Sequence, residues 1–167
     1  MITPVESRLF RAFRVLWIGL PFLAPTFSSA QSQQTFEVTT CHSGVVRTVF
    51  ADKDVTVRSA EGWGIVTSPE NKQLDNSSFH VVTAVRTVGE AITETGYIEL
   101  TDPDGDVILM ESSRTSSEHT SRFFHGTGKW KGISGSSKGH YIVFRRMQPD
   151  WAAACSKSVW TLELPAK

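Results

Sequence analysis

Two histidine–arginine pairs are the ionisable residues whose spacing best indicates a binding site. Arg86 follows His80 by six positions, and Arg146 follows His140 by the same distance. Side chains on a β-strand alternate between its two faces, so residues an even number apart share a face. If that face lines the interior of a folded sheet, imidazole and guanidinium groups there would hold an anionic or carbonyl ligand. If it lies outside, the four side chains would simply be solvated.

The histidines and cysteines show no spacing that is typical of a metal site. The five histidines form no His-Glu-x-x-His or His-x-His pattern, and the two cysteines form no Cys-x-x-Cys pattern. A single histidine is more often a hydrogen-bonded or surface residue than a ligand or a base. We therefore predict no metal and no cofactor. We expect a role other than catalysis, although the sequence leaves open whether the protein is an enzyme.

An acidic segment has part of the composition of a calcium loop. Asp102, Asp104 and Asp106 offer the carboxylate oxygens that calcium prefers. An EF-hand needs glycine at its sixth position and glutamate at its twelfth, whereas here Gly105 is fourth and Ser113 is twelfth. Proline and glycine between two strand-like segments are typical of a turn, which is the interpretation we adopt.

Two glycine-containing segments further along the chain also predict irregular structure. Residues 126–129, Gly-Thr-Gly-Lys, resemble a phosphate-binding loop, but Trp130 follows the lysine where that motif needs serine or threonine. We interpret this segment as a bend at which backbones approach closely. Residues 135–139 are predicted to form a turn into the next strand.

Residues 1–30 have the three parts of a secretory signal peptide. Three arginines supply a positive start, an apolar segment covers residues 15–24, and small residues end at Ala30. A transmembrane helix needs about 20 apolar residues, and this segment is shorter. We therefore predict cleavage after Ala30 and export of residues 31–167 to the periplasm or the extracellular medium.

The charge balance excludes partners that need a strong electrostatic field. The chain has 17 basic and 17 acidic residues, and removal of the predicted signal peptide leaves a small acidic excess. Nucleic acid and anionic membrane surfaces are therefore not expected partners. No later stretch is apolar enough to cross a membrane after signal cleavage. The remaining partners are a small-molecule ligand and further copies of the chain.

Both cysteines lie after the predicted signal peptide, at opposite ends of the exported part. An even number of cysteines in an oxidising compartment favours a disulfide between Cys41 and Cys155. Closing a loop of that size would stabilise the fold by about 4 to 5 kcal/mol in the chain-entropy description. Two unpaired buried thiols are the alternative that the sequence leaves open.

The composition of residues 31–167 predicts an all-β fold. This part has 14 valines and 15 threonines against 5 leucines and 8 alanines, and β-branched residues favour strands. Short alternating segments separated by turn residues predict about eight strands in a single antiparallel barrel. Residues 113–120 are expected to form a loop. Residues 148–154 are expected to form a connection with one helical turn.

Several turn and strand motifs resemble a group of small bacterial secreted proteins that are similar to the allene oxide cyclase and dirigent barrels. The resemblance rests on Asp-Pro-Asp-Gly-Asp at 102–106 and on Gly-Thr-Gly-Lys-Trp-x-Gly-Ile-x-Gly at 126–135. Residues 160–165 suit the final strand of that group. The resemblance covers roughly half of residues 31–167, and it implies a calycin-like antiparallel barrel with a central cavity, often oligomeric. It transfers no activity and no ligand-binding residue.

Three functional hypotheses follow in order of preference. The first is an exported barrel that binds a small, partly apolar molecule, with His80, Arg86, His140 and Arg146 as candidate ligand contacts. Trp151 is the candidate for a lid over the mouth of the barrel. The second is a structural or interaction protein that self-associates through a face of the barrel. The third is an enzyme of the cyclase or isomerase type, which needs an ionisable group inside the cavity.

Overall fold

The computed structural model describes residues 32–165, and it shows strands connected by short turns and one short 3-10 helix. The predicted signal peptide lies outside the described residues. No helix within residues 32–165 is long and apolar enough to cross a bilayer. The elements are β1 (Ser32–Ala51), β2 (Val55–Thr67), β3 (Ser77–Val88), β4 (Ala91–Thr101), β5 (Val107–Thr115), β6 (Glu118–Gly126), the 3-10 helix (Gly128–Trp130), β7 (Ser134–Gln148) and β8 (Trp151–Leu164).

The eight strands form a closed antiparallel barrel. Each strand pairs with the next along the chain, and β8 pairs with β1. The closing ladder extends from Ser32 opposite Leu164 to Val45 opposite Trp151. Closure leaves no unpaired edge, and the many β-branched residues suit the extended backbone. The predicted all-β class and the single barrel of about eight strands are confirmed.

Three segments differ from the structure that the sequence predicts. Residues 113–120 are almost entirely strand, and the turn between β5 and β6 consists of Ser116–Ser117. Residues 135–139 lie inside β7, and residues 148–154 contain no helical turn because β8 begins within them. Serine, glycine and alanine favour irregular structure locally, but in a barrel their backbone groups find partners on both neighbouring strands.

A bulge in β7 changes which of its side chains face the barrel interior. The ladder with β8 shifts by one residue between Tyr141 and Val143. A bulge adds one residue to one strand and so reverses the inward and outward positions beyond it. Tyr141 faces inward before the shift, and Phe144 and Arg146 face inward after it.

Apolar side chains fill one half of the barrel interior, which we call the closed half. It lies at the end where the chain enters β1 and leaves β8, and the 3-10 helix lies beside it. Trp130 is 1% exposed there, so this end of the barrel is sealed. The buried apolar residues are Phe36, Val38, Val66, Leu74, Phe79, Leu100, Ile108, Met110, Phe123, Trp130, Ile133, Trp160 and Leu162.

Asp102 connects the β4–β5 turn to the 3-10 helix at the closed half. Its carboxylate accepts hydrogen bonds from the backbone N–H of Asp104 at 2.8 Å and of Asp106 at 3.0 Å. It also accepts the indole N–H of Trp130 at 2.6 Å, and the Lys129 ammonium lies 2.8 Å away. The predicted turn is confirmed, and its central carboxylate is occupied by protein donors.

A disulfide joins the first and last strands of the barrel. Cys41 on β1 lies directly opposite Cys155 on β8, and the two residues are bonded. They are 114 positions apart in the sequence, so the bond connects the two ends of the described chain. The predicted pairing is confirmed, and the alternative of two free thiols is wrong.

Candidate functional site

The other half of the barrel interior, the open half, encloses a cavity of about 390 Å³. It lies between the closed half and the tips of the four hairpins β1–β2, β3–β4, β5–β6 and β7–β8. Phe144 and Arg146 line the cavity and are also exposed, so it opens to solvent at the hairpin tips. Small-molecule sites in proteins typically measure about 300 to 1,000 Å³, and this cavity is within that range.

The cavity wall combines apolar and polar side chains. The apolar ones include Phe79, Val81, Val85, Ile92, Ile98, Met110, Ala154 and Trp160. The hydroxyl-bearing ones include Thr40, Thr83, Thr87, Ser112, Ser121, Ser137, Ser156 and Ser158. A mostly apolar wall with a few polar groups is the usual composition of a site for a partly apolar small molecule.

A row of ionisable side chains crosses the wall near the opening. Glu94 on β4 lies opposite Arg114 on β5, which lies opposite His119 on β6. Glu94 Oε2 and Arg114 Nε are 2.8 Å apart in an ion pair, and each side chain is 15% exposed. The guanidinium carbon of Arg114 is 5.1 Å from the ring centre of Tyr141. The His119 and Tyr141 rings are 5.6 Å apart.

Gly139 on β7 leaves the space that the His119 ring occupies. A Cβ atom at position 139 would lie 2.8 Å from Nε2 of His119 and 2.3 Å from the carbonyl oxygen of Lys157. Neither distance is compatible with a real carbon contact. The absent side chain on β7 thus lets the imidazole of β6 lie against the neighbouring strand.

The environment of the cavity lowers the pKa of two histidines. Burial lowers the pKa of His42 below its ordinary value of 6.5, and His119 lowers it further. Burial also lowers the pKa of His119, as do Arg114 and His140, while Glu118 acts in the opposite direction. Both imidazoles are therefore mainly neutral at pH 7, and each then offers one donor and one acceptor.

The hydroxyl group of Tyr141 stays protonated at any physiological pH. Burial raises its pKa to about 12, with a further contribution from Glu94 and an opposing one from Arg114. The ionised form is disfavoured because a phenolate would lose its hydration and lie near a carboxylate. Tyr141 is thus a hydrogen-bond donor or acceptor in the cavity rather than a base.

Three cavity side chains have a buried nitrogen atom with no hydrogen-bond partner among residues 32–165. These atoms are Nδ1 of His42, Nε of Arg58 and Nδ1 of His119. The Nε of Arg114 also lacks a hydrogen-bond partner, because its ion pair with Glu94 is close but is not aligned as a hydrogen bond. An unpaired buried polar group costs about 1 to 3 kcal/mol, so these four nitrogen atoms reduce the stability of the fold.

The cavity can bind and polarise a molecule, and it presents no conventional nucleophile arrangement among the described residues. Residues 135–139 have Gly-x-Ser-x-Gly spacing around Ser137. A nucleophile elbow places its serine on a strand-to-helix turn, whereas Ser137 lies within β7. His42, His119 and Tyr141 are the ionisable groups inside the cavity that a cyclase or isomerase would require.

The four residues that the sequence analysis grouped by their spacing do not lie together in the structure. His80, Arg86 and His140 lie on the outer face of the barrel, and only Arg146 lines the cavity. His80 and Arg86 do share a face, as their spacing predicts. His140 and Arg146 do not, because the β7 bulge lies between them. A ligand inside the cavity is therefore within reach of Arg146 and not of the other three.

His80 lies in a shallow groove on the outer face of the barrel. Its ring stacks on Trp63 with the centres 5.2 Å apart, and its Nε2 lies 3.1 Å from Oε1 of Glu61. Tyr97 and Phe124 form the opposite side of this groove, with their rings edge to face and 6.2 Å apart. The partners of His80 are thus other residues of the outer surface.

Trp151 lies at the open end of the barrel but outside the cavity wall. It begins β8 opposite Val45, and its side chain is 38% exposed. It is absent from the residues that line the cavity. A role for Trp151 as a lid stays a prediction.

Apart from Arg146, the ionisable residues of the cavity were not singled out by spacing. They are His42, Arg58, Glu94, Arg114, His119 and Tyr141. One signal for them was present in the sequence, since Glu94 shares a strand face with Ile92 and Ile98. A charge between two isoleucines on one face is unusual on a solvated surface and indicates a polar group inside a barrel.

Comparisons with known proteins give matches by structure alone. No protein-family model matches the sequence, and no curated protein sequence matches it. The pterocarpan synthase dirigent protein PsPTS1 matches with a TM-score of 0.52 at 8% identity, over 80% of this chain and 97% of that chain. The pterocarpan synthase dirigent protein GePTS1 matches with a TM-score of 0.48 at 8% identity, over 79% and 87%. A conserved protein of unknown function, RPA1785 from Rhodopseudomonas palustris, matches with a TM-score of 0.45 at 12% identity, over 78% and 98%.

The fold and the cavity together define a class of protein. The match to PsPTS1 covers nearly all of that chain, and the closed eight-stranded barrel agrees with the resemblance that the sequence motifs indicated. The protein therefore has a dirigent-like β-barrel fold. At 8% identity the likeness concerns the fold and transfers no activity.

Proposed function

We propose that the protein is exported and binds one small, partly apolar molecule in the open half of its barrel. The observation that carries the proposal is the cavity of about 390 Å³, which is mostly apolar and includes hydroxyl-bearing and charged side chains in its wall. Cores of small domains contain few voids larger than a water molecule, so a hollow of this size is a feature that packing does not require. The hydroxyl-bearing and charged side chains favour a molecule with at least one hydrogen-bonding group.

A neutral fluorescent dye tests whether the cavity binds. We expect N-phenylnaphthylamine to bind saturably with one site per chain. Ala60→Phe, which adds a ring to the cavity wall, should abolish the signal. The matched control is Ala84→Phe on the outer face of β3, which adds the same ring outside and should bind as the unmodified protein does. Equal binding by both variants, with intact folds by circular dichroism, contradicts the proposal.

Export is supported by the signal-peptide pattern and by the disulfide. Stable disulfides persist mainly in oxidising compartments such as the periplasm and the extracellular medium. The mass of the protein recovered from the exported fraction of its host tests this. We expect a chain that begins at Gln31 and lacks two hydrogen atoms because Cys41 and Cys155 are bonded. A full-length mass, or recovery only from the cytoplasm, contradicts export.

Self-association is the second candidate function, and the outer face of the barrel supports it. Several large apolar side chains on neighbouring strands are exposed there, and they are Trp63, Ile65, Val82, Tyr97 and Phe124. Single exposed apolar residues are ordinary, but a continuous group of them marks an interaction surface. One charged pair of the same face, Glu111 with Arg122, is internally balanced, so identical faces meet little repulsion from it.

Sedimentation equilibrium distinguishes this candidate from a monomeric barrel. We expect a mass above that of one chain, which falls to the monomer mass in Tyr97→Glu because a carboxylate would then be buried in the interface. Lys157→Glu, which introduces the same carboxylate at an exposed position on β8, outside this group of strands, is the control and should leave the mass unchanged. A monomer mass for the unmodified protein at every concentration rejects self-association.

A further inference from the structure

Positive charge exceeds negative charge inside the cavity. Arg58, Arg114 and Arg146 belong to the wall, and Glu94 is the one inward carboxylate among its described residues. Glu61 also contributes to the wall, but its carboxylate lies on the outer face with His80. Charge in a concave site with apolar walls is screened less than charge on an open surface. The interior therefore attracts an anion.

Whereas Arg146 is exposed to solvent, Arg58 is a partly buried cation of the wall that protein groups leave uncompensated. Its Nε is buried without a hydrogen-bond partner, and no ion pair involves it within residues 32–165. Its ladder neighbours are Thr48 on β1 and Val85 on β3, neither of which carries charge. Glu94, one strand further, already pairs with Arg114. An arginine in this situation is suited to a carboxylate, which its planar group can bind through two hydrogen bonds.

The wall beside Arg58 has room for a ligand. The next inward positions of β2 are Ala60 and Gly62, and the ring of His42 lies beside Gly62, where a Cβ atom would be 3.2 Å from its Cδ2. The small residues leave this part of the wall bare between the guanidinium and the imidazole. Thr83, which lies opposite Ala60 on β3, adds a hydroxyl group to the same part of the wall.

We propose that the cavity takes a molecule with one anionic group of the carboxylate class, and that Arg58 is the residue that binds this group. The inference rests on the proposed function and adds the charge of the ligand to it. The apolar part of the molecule lies against the side chains of β3 and β4, whose inward apolar residues are Phe79, Val81, Val85, Ile92 and Ile98. Arg146 at the opening adds a second positive charge on the path inward.

A series of ligands that differ only in charge tests the inference on the unmodified protein. The probes are naphthoate, naphthylmethanol and naphthylmethylamine, which share one ring system and are anionic, neutral and cationic at pH 7. We expect naphthoate to bind about tenfold or more tightly than naphthylmethanol, as is typical of a charge-assisted hydrogen bond. Naphthylmethylamine should bind most weakly of the three.

Substitution of the arginine assigns the effect to a residue. In Arg58→Met the affinity for naphthoate should fall about tenfold or more, and the affinity for naphthylmethanol should change by less than about twofold. The matched control is Arg86→Met, which removes an exposed arginine from the outer face of the adjacent strand and should change neither affinity. Arg58→Glu should reverse the preference between naphthoate and naphthylmethylamine.

The outcomes separate this inference from the function on which it rests. Equal affinities for naphthoate and naphthylmethanol overturn the inference and leave binding in the cavity supported. A naphthoate preference that survives in Arg58→Met also overturns the assignment to that residue. Absence of binding by all three probes overturns the proposed function and the inference together. If Arg58→Met does not fold, the comparison of the three probes on the unmodified protein still decides the charge of the ligand.

Discussion

The Asp102 carboxylate shows how one residue connects two distant parts of the chain. Burial on its own would raise the pKa of Asp102, but the Lys129 ammonium, the Trp130 N–H and the backbone N–H groups of Asp106 and Asp104 hold it below its ordinary value. The exposed fraction of this side chain is 0%. A carboxylate that is buried and fully supplied with donors stabilises the fold only in its ionised form.

Replacement of this carboxylate by an amide tests its contribution. Asp102→Asn should lower the free energy of unfolding by about 1.5 to 3 kcal/mol, since a hydrogen bond to a charged acceptor is stronger than one to a neutral acceptor. The measurement is urea denaturation at pH 7. Asp104→Asn is the control, because that side chain is 77% exposed and should change stability little. An equal loss in both variants would show that the loss does not depend on burial.

The two cavity histidines predict a dependence of stability on pH. Their pKa values are lowered in the folded state, so the unfolded chain binds protons more readily as the pH falls below the ordinary value of 6.5. The contribution is fully present above that pH and is lost as the pH falls toward the folded pKa values. The thermal midpoint should therefore fall between about pH 7 and pH 5, and by less in the double variant His42→Gln and His119→Gln. His125→Gln, which removes an exposed histidine, should retain the slope of the unmodified protein.

At the scale of strands, the alternation of residue types predicts that strands exist but not which face of each one is inward. On β3 both faces carry valine, so the inward face with Phe79 and Val81 could not be distinguished from the outward face with Val82. On β7 the bulge after Tyr141 reverses the faces, which separates His140 from Arg146. A bulge depends on the register with the neighbouring strands, and that register is set by the closed barrel rather than by the local sequence.

The motifs of the closed half were better predicted because their chemistry is local. Asp-Pro-Asp-Gly-Asp at 102–106 forms the predicted turn, in which Gly105 has a positive φ of 90°. The cavity charges were harder to predict because they meet only through the register of paired strands, as Glu94, Arg114 and His119 illustrate. Their spacing along the chain therefore contains no periodic signal.

The disulfide between β1 and β8 gives a prediction at the same scale. The double variant Cys41→Ala and Cys155→Ala should lose about 2 to 5 kcal/mol of unfolding free energy, because its unfolded chain is no longer constrained. Urea denaturation measures the loss, and the unmodified protein with dithiothreitol should behave in the same way as the double variant. Unchanged stability in both cases would show that the β1–β8 ladder alone fixes the ends of the barrel.

At the scale of the whole molecule, the two ends of the described chain are neighbours. Ser32 lies opposite Leu164 in the ladder that closes the barrel. The cavity and its opening lie at the other end, where the hairpins turn. The arrangement separates the part that completes the fold from the part that we propose to bind a ligand.

Circular permutation tests this separation. A chain whose ends are joined by a short glycine–serine linker and which begins at Ser117 should form the same barrel, because that turn is exposed and the original ends are adjacent. Circular dichroism and the binding of N-phenylnaphthylamine are the measurements. A chain opened between Met110 and Glu111, inside β5, should not fold, because the break interrupts ladders with β4 and β6. If the permutant that begins at Ser117 does not fold, the intact β5–β6 turn is needed for folding.

The filled end of the barrel restricts how one occupant is exchanged for another. If the cavity binds a ligand as we propose, that ligand would enter and leave at the hairpin tips, because Trp130 and its apolar neighbours fill the other half of the barrel. A second ligand would then have no separate path into the cavity, so the first ligand would have to dissociate before the second could bind. The exchange of a tightly bound ligand would then proceed at its own dissociation rate, and a higher concentration of a competing ligand would not accelerate it.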